Sequence, residues 1–289
     1  MRTNRLTPWL YIAPVLLLLG IFLLYPSIET FRISFFGPSS KNFVGFANYI
    51  YAFTNPVMRT AFRNNALWVV VFTSFTVGFG LILAVLLNRV RYEKIIKSII
   101  FIPMAISFVG AGVIWKFVYA YRPPGAPQIG LLNEIVTVFG GKPIGWLIDR
   151  PWVNNLCLIL VGIWVWTGFC MVVLSAAYKG ISKELMEAAR IDGATEWQVF
   201  WRVIIPLLKP TMAVVATTMV VFVLKVFDIV YVMTNGNYST EVIANRMYKE
   251  MFAWSNYGHA SAIAIVLLLL IIPMMIINIR RFREQEAMR

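Results

Sequence analysis

Uncharged apolar windows alternate along the chain with polar connections at a spacing set by a lipid bilayer. Stretches of about 20 apolar residues, the length a helix needs to cross the hydrocarbon core, occur near 9–28, 65–87, 98–120, 153–174, 211–233 and 260–279. The pattern predicts an all-α membrane protein with six transmembrane helices in a single domain over 1–289. The first window follows Arg2 and Arg5 and has the look of a secretory signal, yet Tyr25, Pro26, Ser27 and Ile28 offer no small-x-small cleavage site. It reads as a retained anchor.

Composition agrees. Of 289 residues, 60% are hydrophobic and 13% charged, where a soluble domain carries about 25% charged residues. A net charge of +13 would suggest nucleic acid in a soluble protein, but here the basic residues lie in the connections and bear on orientation. With the N-terminus in the cytoplasm, that side holds Arg2, Arg5, Arg89, Arg91, Lys94, Lys97, Lys179, Lys183, Arg190, Arg202, Lys209, Arg280, Arg281, Arg283 and Arg289, which is 15 of 26 against nine outside. The positive-inside rule therefore puts both termini in the cytoplasm. Lys116 and Lys225 fall inside spans. Cys157 and Cys170 sit on the fourth span, roughly 20 Å apart along a helix, too far to pair, and read as small hydrophobes.

The second span contains TVGFG, Thr76–Gly80, similar to a potassium-channel filter. That reading fails because 65–87 is the only run able to make the second crossing, and a loop in its middle would expose backbone groups that lipid cannot satisfy. Gly78 and Gly80 read instead as places where helices approach closely.

The most informative connection is AAYKGISKELMEAARIDGATEWQVFWRVIIPLLKP, Ala176–Pro210, between the fourth and fifth spans. Ser182 is an N-cap candidate, followed by strong helix formers through Ile191. Asp192 and Gly193 interrupt the run, since glycine readily takes the left-handed conformation that ends a helix. Thr195 and Gln198 have capping-box spacing for a second helix, along which Trp197, Phe200, Trp201 and Ile204 form one apolar stripe. Pro206 is expected to stop or bend it. By pattern alone, this helix–hinge–helix element suits either the lipid headgroup plane or a docking surface for another protein.

The same segment resembles the EAA loop of ABC importer permeases, whose pattern is EAA, three residues, G, nine residues, then I-x-L-P. Glu187, Ala188, Ala189, Gly193 and Pro206 match it, with Asp192 and Ala194 completing the DGA common in sugar permeases, while Val203 and Ile205 replace isoleucine and leucine conservatively. Similarity to the carbohydrate-uptake permeases extends through FVGFANYIYAFTNPVMRTAFRNN, the FIP of the third span, FDIVYVMTNG and YGHASAIAI. The wording is nearest to the α-glucoside type, which includes transporters of compatible solutes such as glucosylglycerol. The resemblance implies the type I permease fold in a bacterial inner membrane, with the EAA loop seated on an ATPase subunit. It also implies two ATP-binding cassette subunits, a second permease subunit and an extracytoplasmic solute-binding protein. The outer connections 29–64, 121–152 and 234–258 would receive that binding protein, and LLNEIVTVF in the second of them suits a short helix.

No G-x-x-x-x-G-K-[ST] phosphate loop occurs in the chain, so ATP and magnesium are expected on partner subunits. No catalytic or metal-ligating residue is expected. His259, the single histidine, stands two residues from Ser261, which puts the two side chains about 200° apart on a helix, unable to form a dyad. An ion- or proton-coupled secondary carrier is the stronger rival, but it calls for midplane acids and inverted repeats with broken helices. The sequence offers neither such an acid nor such a repeat.

Two sets of residues are candidates for the solute path. Lys225 and Asp228, three apart on the fifth span, would share a helical face, as an ion pair easing insertion or as groups for solute hydroxyls. Gly162, Trp166 and Phe169 share a face of the fourth span, where aromatic rings could stack on a sugar. Trp152 and Trp254 are expected in the interfacial belt.

Overall fold

The computed structural model describes residues 7–88, 90–149 and 151–287. Arg2, Arg5, Arg89 and Arg289, used above for orientation, lie outside them. Among the described residues the chain forms α1 (Trp9–Ile33), α2 (Ala47–Thr54), α3 (Pro56–Leu87), α4 (Glu93–Ala105), α5 (Phe108–Val118), α6 (Leu131–Val138), α7 (Pro151–Lys179), α8 (Lys183–Ile191), α9 (Glu196–Leu224), α10 (Asp228–Met233), α11 (Ile243–Tyr248) and α12 (Tyr257–Ala287). Among the described residues five helices, α1, α3, α7, α9 and the Tyr257–Arg280 part of α12, are long and apolar enough to cross a membrane, and α4 with α5, bent by 98° at the break between them, makes a sixth when the pair is counted as one span. The chain folds into two compact units, Met1–Arg59 with Arg246–Leu269 and Thr60–Asn245 with Leu270–Arg289.

Two predicted spans are corrected. The third, 98–120, is not one helix. It tightens into a 3₁₀ turn at Ile102–Ala105, Ile106 is extended, and Ser107 starts α5 by accepting the Gly110 N–H at 3.0 Å. A proline at the end of α4 and a serine cap four residues on supply both the stop and the restart. The fifth, 211–233, starts earlier and ends sooner, running from Glu196 to Leu224 and resuming as α10 only at Asp228. The Lys225 and Val226 N–H groups turn back to the carbonyls of Phe222 and Val223, and buried Asn65 donates to the Leu224 carbonyl at 3.2 Å.

Pro206 does not stop α9, which runs through it to Leu224. A π turn at Phe200–Ile204 precedes it, with the Ile205 N–H bonded to the Phe200 carbonyl. The wider turn makes room for the pyrrolidine ring, which in a regular helix collides with the carbonyl four residues back. Gly20–Leu24 and Pro26 repeat this register in α1.

The core of the second unit is built around α7, where Leu158, Ile159, Val161, Val165, Met171 and Leu174 are buried. Glycines set its closest approaches. A Cβ on Gly80 of α3 would lie 3.0 Å from the Cys170 carbonyl carbon and the Met171 nitrogen, and one on Gly168 would lie 2.9 Å from the Phe101 Cα. Gly78, in contrast, faces open space with nothing within 4 Å, so only one of the two glycines in TVGFG serves helix contact. Gly80→Ala should therefore lower the melting temperature of the purified protein by forcing α3 off α7. Gly78→Ala should leave it unchanged or raise it, since alanine is favoured over glycine in a helix by about 1 kcal/mol. Thermal unfolding in one detergent checks the contrast, and equal losses in both would contradict it.

In the first unit, one bracket joins the segments distant in sequence. Tyr51 donates to Glu250 Oε1 at 2.5 Å, Arg246 pairs with the same carboxylate at 2.8 Å, and the Tyr51 ring stacks on His259 at 3.7 Å. Burial would raise the Glu250 pKa, but hydrogen bonds from His259 and Tyr51 and the charge of Arg246 outweigh it and hold the carboxyl below its usual range. His259 Nδ1 also lies 2.9 Å from Asn256 Nδ2. The imidazole thus serves a structural cluster, and Ser261 is buried elsewhere on α12. Arg246 covers the ring of Trp254, as Arg63 covers that of Trp152 in the second unit.

Candidate coupling and translocation sites

The bend between α8 and α9 is closed by local hydrogen bonds on each side. Ser182 holds the N-cap position of α8 without a side-chain bond. At the other end, Gly193 adopts φ +85°, its N–H bonds the Arg190 carbonyl, and the Ala194 N–H bonds the Ala189 carbonyl. This is the Schellman arrangement, which satisfies carbonyls that a helix end leaves bare. The capping box follows at once: Thr195 Oγ1 accepts the Gln198 N–H at 3.3 Å, and Gln198 Oε1 accepts the Thr195 N–H at 2.8 Å. Arg190 crosses the bend to Glu196 at 2.7 Å, a hydrogen bond that also raises the Arg190 pKa.

Met186, Val199, Ile204 and Leu208 turn inward and are buried, with Ala189 and Ala194 half-buried beside them. Glu187, Ala188, Asp192 and Gly193 are exposed, together with Ile191 at 85% and Trp197 at 70%. The predicted apolar stripe is only partly an inward face. Trp197 and Trp201 form an exposed aromatic cluster with half-buried Phe200, at ring separations of 5.4–6.3 Å. The π turn explains this: it inserts one residue, so positions in phase before it fall out of phase after it.

At the broken spans, the α4–α5 bend and the end of α9 meet in a cleft of about 250 Å³ lined by Phe108, Phe222, Lys225, Val226, Phe227 and Asp228. Lys225 and Asp228 therefore do not share a helical face, since Lys225 caps α9 and Asp228 opens α10, yet both reach this cleft. They make no ion pair with each other. Trp166 of α7 flanks the cleft, its ring 4.4 Å from Phe222 and stacked on Phe108 at 6.1 Å, with Phe169 edge-on at 5.5 Å. The Trp166 Nε1–H is buried and has no hydrogen-bond partner. Gly162 lies apart from them, because the space above it is filled by Trp68 and Phe72 at 3.1 Å.

Sequence reading missed Phe108 and Phe222, which wall this cleft from two other helices. The signal for Phe108 was the IPMAIS break before it; Phe222 had none, since its role depends on where α9 ends. Interrupted helices expose backbone groups that lipid cannot satisfy, so such breaks are tolerated where they line a polar cavity. The cleft presents aromatic faces and two opposite charges, with the buried Trp166 donor behind the Phe222 ring.

Comparisons with known proteins agree with this anatomy. Residues 76–279 match the family described as binding-protein-dependent transport system inner membrane component. The chain is 61% identical to the osmoprotective compounds uptake permease protein GgtC of Synechocystis sp. over 97% of its own length and all of that protein's. It is 48% identical to the α-glucoside transport system permease protein AglF of Rhizobium meliloti, covering 98% of this chain and 84% of the relative. A bacterial ABC transporter that imports the acidic polysaccharide alginate contains a chain with TM-score 0.80 at 25% identity, over 94% of this chain and 96% of that one. With six predicted crossings, an interrupted third and fifth span and a family match over most of its length, the chain belongs to the inner-membrane components of binding-protein-dependent transport systems.

Proposed function

We propose that this chain is one transmembrane permease domain over 1–289 that carries a carbohydrate, of α-glucoside or small glycoside class, inward by alternating access. One of two ATP-binding cassette subunits docks on the α8–α9 bend through Glu187, Ala188, Ala189, Asp192, Gly193 and Ala194, with Pro206 following in α9, and the other serves the second permease. A second permease subunit completes the path, and an extracytoplasmic binding protein delivers the solute to the outer connections. ATP and magnesium belong to the cassette subunits. Names of the relatives, one for osmoprotective compounds and one for α-glucosides, support the solute class.

The observation that carries the reading is the continuity of α9. A closed bend with an exposed apolar and acidic surface sits at one end of a 29-residue helix, and the aromatic cleft sits at the other. Such a rod is about 43 Å long at 1.5 Å per residue, so movement imposed near Trp197 reaches Phe222 as rigid-body displacement. Trp166, Phe169, Lys225 and Asp228 would meet the solute there, rings against its C–H faces and polar groups against its hydroxyls; Gly162 would act only through packing.

Proteoliposomes holding the complete transporter test this. Uptake of a labelled α-glucoside should require ATP and the binding protein and be blocked by vanadate. Uptake driven by a proton or sodium gradient with no cassette subunit present would instead establish the secondary carrier.

A further inference from the structure

A second cleft lies in the same unit at the opposite end of α7 from the coupling bend. Its volume is about 700 Å³ and its lining includes Lys116, Tyr121, Tyr231, Asn235, Asn237 and Tyr238. That size falls within the range of small-ligand sites. One short helix, α10, separates it from the aromatic cleft: Asp228 at the start of α10 lines one, and Tyr231 and Met233 at its end line the other.

Both walls are fixed in advance by buried amides. On one side Asn133, fully buried, donates to the carbonyls of Ala120 and Ile144 and accepts the Ile144 N–H at 2.8 Å. On the other, the loop 234–240 holds Asn235, Gly236, Tyr238 and Ser239 at φ between +51° and +72°. For residues other than glycine this conformation is disfavoured by about 1–2 kcal/mol, least for asparagine. Three buried asparagines from two helices hold it: Asn64 and Asn155 donate to the Ser239 carbonyl and Asn154 to that of Tyr238. Thr234 and Thr240 close the loop through a 2.7 Å hydroxyl bond.

The supported loop presents Asn235, Asn237 and Tyr238, and the rest of the lining adds Tyr121 and the ammonium of Lys116 beside the apolar Leu147, Ile148, Val232 and Met233. Tyr238 is 56% exposed. Phenol rings stack on the C–H faces of sugars, and carboxamides both donate to and accept from hydroxyls. We infer that this outer cleft is a receiving site for a polyhydroxylated solute, an α-glucoside ring held against Tyr238 and Tyr121 with its hydroxyls on Asn235, Asn237 and Lys116, before passage along α10 to the aromatic cleft. The inference rests on the carbohydrate reading above and adds to it a separate site.

The complete transporter in proteoliposomes tests it with sucrose, trehalose and maltose as probes. Tyr238→Ala and Asn237→Ala should each raise the uptake KM about tenfold, the equivalent of 1.4 kcal/mol, with Tyr238→Phe between them and the wild type. For a readout free of the binding protein, Ile148→Cys on the rim provides a thiol, Cys157 and Cys170 being buried. An impermeant maleimide should label that thiol more slowly when a transported sugar saturates the cleft, and at an unchanged rate with glycine betaine, which has no hydroxyls. Transport of a sugar without protection and with unchanged KM would overturn the outer site alone. Transport of none of the three by the unsubstituted complex would overturn the carbohydrate reading and this site together.

Discussion

Gly193→Pro is expected to abolish ATP-driven uptake while the protein still inserts and folds. Gly193 sits at φ +85° and donates its N–H to Arg190. Proline fixes φ near −65° and has no N–H, a local change of about 3 kcal/mol or more. The bend would open, the Arg190–Glu196 pair would separate, and α8 would lose its fixed angle to α9. A Cβ at Gly193 meets nothing within 4 Å, so Gly193→Ala suffers only the torsional penalty, about 1 kcal/mol, and should retain part of the uptake. Glu187→Lys leaves the backbone intact and reverses one exposed charge. If this carboxylate faces a basic group of the cassette subunit, co-purification should fall about tenfold or more, as 1.4 kcal/mol of lost affinity would give. Normal co-purification and uptake in both Gly193→Pro and Glu187→Lys would remove the docking assignment.

The bend was legible in the sequence because each of its determinants is local. Gly193, Thr195 and Gln198 specify their own backbone geometry within five residues, and the Schellman turn and capping box stand where the spacing put them. The crossings were legible as apolar windows for the same reason. What the windows could not carry was continuity. Pro206 is absorbed by a π turn that no residue pattern announces, and Leu224 ends α9 partly because Asn65, more than 150 positions away, satisfies its carbonyl. Gly162 and Gly78 show the same limit from the side of packing. Both are glycines in apolar helices, and only the neighbouring helix decides that one is covered by Trp68 and Phe72 and the other faces open space.

Trp166 separates packing from solute contact most sharply. Trp166→Ala removes a ring touching Phe108, Phe169 and Phe222, which should destabilise the protein by about 3–5 kcal/mol and reduce uptake through loss of fold as well as loss of contact. Trp166→Phe is the informative change, because it keeps an aromatic face while deleting the donor together with the five-membered part of the indole. A buried N–H without a partner costs about 1–3 kcal/mol, and relief of that cost offsets the packing lost with the smaller ring, so if Trp166 Nε1 serves nothing, Trp166→Phe should hold the melting temperature near that of the wild type and leave uptake untouched. If a solute hydroxyl accepts that hydrogen bond during passage, the melting temperature should again hold, but the uptake rate per transporter should fall about five- to tenfold, the effect of losing one hydrogen bond of about 1 kcal/mol or slightly more. Lys225→Ala, at the exposed C-cap of α9, should lower uptake without changing assembly. The pairing of a stable Trp166→Phe protein with slowed uptake is the result expected here, since the Trp166 ring lies 4.4 Å from Phe222 on the cleft wall, and an unchanged uptake rate would assign Trp166 to packing alone.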